Sequence, residues 1–155
     1  MSEKIVSDEL FPLICEKLLS GGSVRLTVTG NSMYPFFHDR EDVAEICPPP
    51  FSLKKDEIVF YKRESGAYVL HRIVKAKGEV LYCRGDNQFG IPEKIDAGSV
   101  LGAVRSYTSK GKTYTRHSFR SRAVLCYVKI FYFFRRLHRK LSKNINRNTS
   151  GTGEK

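Results

Sequence analysis

The sequence predicts a mostly β domain, built as a barrel-like or folded sheet, with one helix at each end. Short apolar segments with alternating polar residues follow one another from about residue 24 to residue 116, and this period of two is typical of strands. Glycine-containing turns separate many of them. Helical spacing of apolar residues is confined to the first 22 residues and to the part after residue 117. These observations favour a β fold with helical ends.

The N-terminal segment, residues 1–22, is predicted to form an amphipathic helix. Its apolar residues recur at helical spacing, and its first nine residues carry a net negative charge. It therefore does not resemble a secretory signal. Gly21 and Gly22 end the pattern.

Seven strands are predicted within a β domain spanning residues 23–117. The stiff segment Pro48-Pro49-Pro50 separates two of them, and Ser65-Gly66 and Lys77-Gly78 are typical of hairpin turns. The predicted strands are 24–29, 42–47, 57–61, 68–75, 79–84, 100–108 and 113–116.

Residues 118–143 form the second predicted helix. Residues 123–134 are apolar apart from Lys129, and a cluster of Arg and Lys follows. Twelve residues of helix are about 18 Å long, whereas a membrane span needs about 20 residues. We therefore expect residues 121–143 to lie on a membrane surface, or alternatively to pack on the β domain or on a second subunit. The tail, 144–155, is predicted to be disordered.

Charge is distributed very unevenly along the chain. Residues 1–96 contain 13 Lys and Arg against 15 Asp and Glu, while residues 97–153 contain 13 Lys and Arg and no acid. The basic half predicts an anionic partner, either lipid or nucleic acid. Its aromatic residues cluster in the apolar run instead of alternating with cations, so membrane contact is expected and nucleic-acid binding is not. The predicted location is the cytoplasm or the periphery of a bacterial inner membrane.

The four cysteines predict neither a zinc site nor a disulfide framework. They are scattered, without a CxxC pair and without histidine at ligand spacing. No metal and no cofactor is therefore expected.

Three residues carry the candidate chemistry, in the order Ser32, His71 and Asp86. Ser32 follows a predicted strand in the run Thr29 to Pro35, and Asp86 lies in Gly85-Asp86-Asn87. A serine hydroxyl becomes a useful nucleophile when a base accepts its proton and a third group orients that base. A hydrolytic dyad or triad is the corresponding hypothesis.

The run Ser32-Met33-Tyr34-Pro35 resembles the nucleophile motif shared by type I signal peptidases and self-cleaving LexA-type repressors. The resemblance extends through 56–61, 71–74 and 85–87, and covers roughly residues 24–104. His71-Arg72 is similar to the histidine branch of this superfamily, the endoplasmic-reticulum type of signal peptidase, in which histidine replaces the lysine base. The resemblance implies a LexA- and signal-peptidase-like fold.

The resemblance implies a role for each matching residue. Ser32 would attack the peptide carbonyl, and His71 would accept its proton, with activity falling below about pH 6 to 7 if its pKa is ordinary. The Ser32 N–H would stabilise the oxyanion. Asp86 is the first candidate to orient His71, and Glu93 is the alternative.

The remaining site residues shape the nucleophile turn. Gly30 stands where lysine-type relatives can have a hydroxyl, so the Asn31 amide or another backbone N–H is the expected substitute. Met33 and Pro35 are expected to shape the turn and contact substrate. A departure from the family occurs at Arg40-Glu41-Asp42, where a glycine usually precedes the aspartate.

The function expected from these residues is that of a serine endopeptidase cleaving a precursor or signal-like peptide. The first alternative is a LexA-like regulatory domain that cleaves itself. The second is a non-catalytic basic β domain that binds a membrane or nucleic acid. The sequence leaves the oligomeric state open.

Overall fold

The protein folds as an antiparallel half-barrel sheet of eight strands, with a helix at each end of the chain. The computed structural model describes residues 10–149, and the side chains of residues 10–134 and of Leu137. The predicted fold class is confirmed. In order, the elements are α1 (Phe11–Leu19), β1 (Val24–Thr27), β2 (Val43–Cys47), β3 (Ile58–Lys62), β4 (Tyr68–Lys77), β5 (Val80–Arg84), β6 (Glu93–Asp96), β7 (Val100–Ser109), β8 (Lys112–Thr115) and α2 (Phe119–Thr149).

Strand pairing departs from chain order at β7. The sheet runs β1-β2-β7-β3-β4-β5-β6, and β8 pairs with β7. All seven predicted strands are present within a few residues of their expected bounds. The eighth strand, β6, is not predicted, because its sequence Glu93-Lys94-Ile95-Asp96 contains only one apolar residue and so shows no alternation. It forms because β5 offers it a free edge, along which Val80 pairs with Asp96 and Cys83 with Glu93.

The helices differ from their predicted limits. The amphipathic helix is present as α1, while residues 1–9 of its predicted range lie outside the described part. Gly21 follows α1 with φ of 82°, a left-handed conformation that suits glycine. The tail prediction is corrected, because α2 continues to Thr149. No glycine or proline lies between Phe119 and Ser150, so no strongly helix-breaking residue interrupts 144–149. Residues 150–155 lie outside the described part.

Alternation along β4 separates two hydrophobic cores. Tyr68 and Leu70 belong to the first core, together with residues of the turn that follows β1. Val69 and Ile73 belong to the second core, with residues of β3 and β5. Successive strand side chains point to opposite faces, so Arg72 lies on the side of the first core and His71 on the side of the second.

Candidate active site

The turn that carries Ser32 is anchored by buried side chains and backbone hydrogen bonds. Met33 is 1% exposed and its carbonyl accepts from the Phe36 and Phe37 N–H groups. Gly30 has φ of 84°, and its N–H donates to Asp39 at 2.6 Å. The Tyr34–Pro35 peptide is cis. Ser32 itself is half-buried, on a turn that these contacts anchor.

The Ser32 main chain lies directly against Gly85. The Asn87 N–H donates to the Ser32 carbonyl at 2.8 Å, and the Asn87 side-chain amide donates to the Asn31 carbonyl at 3.2 Å. A Cβ added at Gly85 would lie 2.5 Å from the Ser32 carbonyl oxygen, too close for any real contact. The glycine of the predicted Gly-Asp-Asn run is therefore required by the approach of the serine turn.

Strand register places that contact beside His71. Arg72 pairs with Arg84 across β4 and β5, and Ile73 pairs with Cys83. Continuing the register by one residue puts Gly85 opposite His71, on the side of the second core. Gly85 follows the last paired residue of β5, so the Ser32 main chain meets the chain next to the strand segment that carries His71.

The serine–histidine hydrogen bond itself is not formed. Among the residues that the structure describes, no hydrogen bond joins Ser32 Oγ to His71. The two residues are related through the contact of the serine turn with Gly85 and not through a bond between their side chains.

His71 is linked to Glu93 through Tyr61. His71 Nδ1 lies 3.2 Å from the Tyr61 hydroxyl, which donates to Glu93 Oε2 at 2.8 Å. Arg63 Nε also donates to Glu93 Oε2 at 2.8 Å. Arg63 Nη2 lies 3.5 Å from the same His71 Nδ1, and a guanidinium can only donate. The shorter Tyr61 contact suits a protonated Nδ1, because the tyrosine proton is directed at the carboxylate, and the longer Arg63 contact suits an unprotonated one. A general base acting through Nε2 requires the first tautomer.

Burial keeps the imidazole of His71 neutral. The residue is 1% exposed, and burial, with a smaller contribution from the nearby Arg63 charge, lowers the pKa of His71 to about 3. This pKa lies well below the ordinary value on which the expected acid limit near pH 6 to 7 depends. Burial also raises the pKa of the neighbouring Cys83 thiol to about 12, so that group too stays neutral.

Asp86 is not placed to orient His71. Its two carboxylate oxygens accept from Arg72 Nε at 2.8 Å and from Nη2 at 2.6 Å, both side chains being buried. Asp86 follows Gly85 by one residue, so it faces the first core as Arg72 does. The structure favours Glu93, the alternative third residue, and gives Asp86 a bidentate ion pair that fixes the Gly85–Asn87 loop.

Sequence reasoning missed Tyr61 and Arg63. Val59 pairs directly with His71, and Tyr61, two residues further along β3, lies on the same face of the sheet. The alternation of β3 could therefore have placed Tyr61 on the face of His71. Arg63 lies beyond β3, and no sequence pattern connects it with Glu93, thirty residues later.

The loop before β2 contains a left-handed residue. Arg40 adopts φ of 56°, a conformation that favours glycine. Its N–H still donates to the Val28 carbonyl at 2.8 Å. Asp42 is fully buried and accepts from the His38 N–H at 2.9 Å, so the loop closes without the glycine.

Helix α2 contacts the same loop. The Tyr132 hydroxyl lies 3.1 Å from the Gly85 carbonyl and 2.9 Å from the Asp86 carbonyl, and also contacts the Gln88 carbonyl. The Arg84 guanidinium lies 4.2 Å from the Tyr132 ring centroid. The C-terminal helix therefore supports the loop against which Ser32 packs.

Comparisons of the chain with protein-family models, with curated proteins and with solved structures find no match. Within the described residues, no cluster of His, Cys, Asp and Glu side chains is placed to hold a metal ion.

Proposed function

We propose that this protein is a serine endopeptidase of the signal-peptidase type, with Ser32 as nucleophile and His71 as general base. The observation that carries the proposal is the position of the Ser32 turn, packed on Gly85 at the register opposite a neutral histidine. An expected substrate is a precursor or signal-like peptide bound in extended form.

The proposed reaction uses the groups in order. His71 Nε2 accepts the proton of Ser32 Oγ as the oxygen attacks the peptide carbonyl, and then returns it to the departing amine. The imidazolium formed in between donates through Nδ1–H to Tyr61. Glu93 accepts the tyrosine hydrogen bond at 2.8 Å and so orients the Tyr61 hydroxyl toward this role, while its own charge is paired with Arg63. Water then cleaves the acyl-enzyme by the same steps.

Membrane-surface contact through α2 is the second part of the proposal. Within the described residues, no helix is both long and apolar enough to cross a bilayer. Several large apolar side chains of α2 are nevertheless exposed, and basic residues follow them in the sequence. This combination is typical of helices that lie in the membrane interface. The exposed side chains are Phe119, Tyr127, Ile130, Phe131, Phe133, Phe134 and Leu137.

Labelling with a serine-directed fluorophosphonate, in detergent or lipid, tests the nucleophile. We expect labelling that is lost in Ser32→Ala and His71→Gln but retained in Ser65→Ala, which removes an exposed serine from a hairpin turn. A peptide library analysed by mass spectrometry provides a second readout that does not depend on the probe. The intact mass of the protein in the same incubations reports self-cleavage.

Absence of both Ser32-dependent labelling and Ser32-dependent peptide cleavage would overturn the proposal, provided that the circular dichroism spectra of the variants match that of the parent protein. Cleavage that persists in Ser32→Ala would also overturn it.

A further inference from the structure

A cavity of about 570 Å³ lies between the start of α2, the β7 strand and the loop that precedes β3. Ser32 and His71 are not among its lining residues, although Arg72, which holds Asp86, is one of them. Its deeper lining is mostly apolar, with the buried polar side chains of Arg72 and Ser121 beside Phe36, Ile58, Val104, Tyr107 and Leu125. The volume is within the usual range for small-ligand sites, about 300 to 1,000 Å³.

The rim of this cavity carries unpaired positive charge. Lys54, Lys55 and Arg122 line it and are exposed, and none of them forms an ion pair within the described part of the chain. Both acids that line the cavity are already neutralised. Asp56 accepts from Lys129 at 2.7 Å, and Glu57 accepts from Arg116 at 2.6 Å. The local field therefore favours an anion.

The first turn of α2 adds to this field. It contains no acidic residue, and helix N-termini carry a partial positive charge. Ser121, near that end, lines the cavity. A cationic rim above an apolar floor matches a ligand with an anionic head and an apolar body.

The floor suits an aliphatic group better than a nucleobase. The Phe36 ring is covered by the Arg72 guanidinium, 4.7 Å from the ring centroid. The Tyr107 ring stacks on Tyr114 with centroids 5.5 Å apart. One face of each ring is therefore already covered, which disfavours stacking of a nucleobase there. A second cavity of about 480 Å³ shares Pro50, Val104, Arg116 and His117 with the first, which gives room for a tail.

We propose that this cavity binds an amphiphile with a phosphate head group and an aliphatic tail, with the phosphate held by Lys54, Lys55 and Arg122. Three unpaired cations are enough to neutralise a phosphate monoester, which is close to dianionic at pH 7. The ligand can be a bilayer lipid or a free amphiphile, because both present the same chemistry. The proposal does not depend on peptidase activity.

The test uses calorimetric titration of the full chain with dodecyl phosphate below its micelle concentration. We expect the double variant Lys54→Gln/Lys55→Gln to weaken binding at least tenfold. The control, Lys110→Gln/Lys112→Gln, removes two exposed charges from the β7–β8 hairpin and should change affinity less than twofold. Dodecyl glycerol, inorganic phosphate and adenosine monophosphate should each bind at least tenfold more weakly than dodecyl phosphate.

Equal weakening in both double variants would overturn the site, since net charge alone would then explain binding. Equal binding of dodecyl glycerol, of inorganic phosphate or of adenosine monophosphate would overturn the ligand class. Flotation with phosphatidate vesicles distinguishes the two sources. Loss of flotation in Lys54→Gln/Lys55→Gln but not in the control supports a bilayer lipid, whereas unchanged flotation with lost dodecyl phosphate binding supports a free amphiphile.

Discussion

Tyr61 is the residue that connects the proposed base with its carboxylate. Its hydroxyl lies between His71 Nδ1 and Glu93 Oε2, at 3.2 Å and 2.8 Å. Burial and the hydrogen bond to Glu93 raise the pKa of Tyr61 well above its ordinary value, so the hydroxyl stays protonated and keeps one donor for Glu93. Tyr61 is therefore a positioning residue in the proposed mechanism.

Replacing Tyr61 with phenylalanine should lower kcat at least about tenfold with little change in KM, because the link that orients His71 is lost while substrate contacts are kept. Steady-state peptide cleavage measures this. Tyr82→Phe is the matched control, since Tyr82 is a half-buried tyrosine of β5. An unchanged kcat in Tyr61→Phe would remove Tyr61 from the mechanism.

The neutral state of His71 makes a prediction about stability. Its pKa is about 3 in the folded protein and about 6.5 in an unfolded chain. Between these values the unfolded state binds the extra proton, so the free energy of unfolding falls as pH is lowered from about 6.5 toward 3. The contribution of one such group approaches about 1.4 kcal/mol per pH unit.

Urea unfolding at several pH values, compared between the parent protein and His71→Gln, measures this contribution. We expect the variant to lose less stability than the parent protein across the same interval. Parallel pH profiles for the two proteins would show that His71 does not have this low pKa.

At the scale of elements, two segments distant in sequence meet at one backbone contact. The turn after β1 and the loop after β5 are joined by the Asn87 hydrogen bond to Ser32 and by the close approach at Gly85. The Arg72–Asp86 pair and the Tyr132 hydroxyl hold the loop from β4 and α2. The position of Ser32 is thus set by the loop after β5, by β4 and by α2 together with its own turn.

Gly85→Ala should displace the Ser32 turn, because its Cβ would meet a backbone oxygen that has no flexible side chain to yield. We expect Ser32 labelling and cleavage to fall at least about tenfold. Gly90→Ala, five residues later, meets nothing within 4 Å and should leave both readouts unchanged. Equal activity of the two variants would contradict the packing of Ser32 on Gly85.

At the scale of the whole molecule, charge differs between two parts of the sequence. Residues 1–96 are near neutral, whereas residues 97–153 are basic. The formal net charge is +11, and the acid-free part of the sequence includes all of α2. The exposed aromatic side chains of α2 lie in that basic part, so electrostatic attraction to anionic lipid and burial of apolar surface would act together.

Phe133→Ser/Phe134→Ser should reduce flotation with anionic vesicles at least about tenfold, since burying each aromatic ring contributes about 1.5 to 3 kcal/mol. These side chains are 65% and 61% exposed, and Leu10 and Leu13 are 55% and 62% exposed. Leu10→Ser/Leu13→Ser therefore provides a matched loss of apolar surface elsewhere and should retain flotation. A loss of equal size in both double variants would argue against docking through α2.

The sequence by itself determined the fold class, seven of the eight strands, the presence of both helices and the serine turn. These follow from local periodicity and turn chemistry, which short stretches of chain encode. Only the tertiary structure decided that β6 pairs at an edge, that Asp86 serves Arg72, and that Tyr61 and Glu93 lie behind His71. The physical reason is that cross-strand register, and the face on which each side chain lies, depend on pairing between distant segments. The sequence offers Asp86 as the first candidate and Glu93 as the alternative. The face of the sheet on which each carboxylate lies decides between them, since Asp86 pairs with Arg72 and Glu93 accepts from Tyr61.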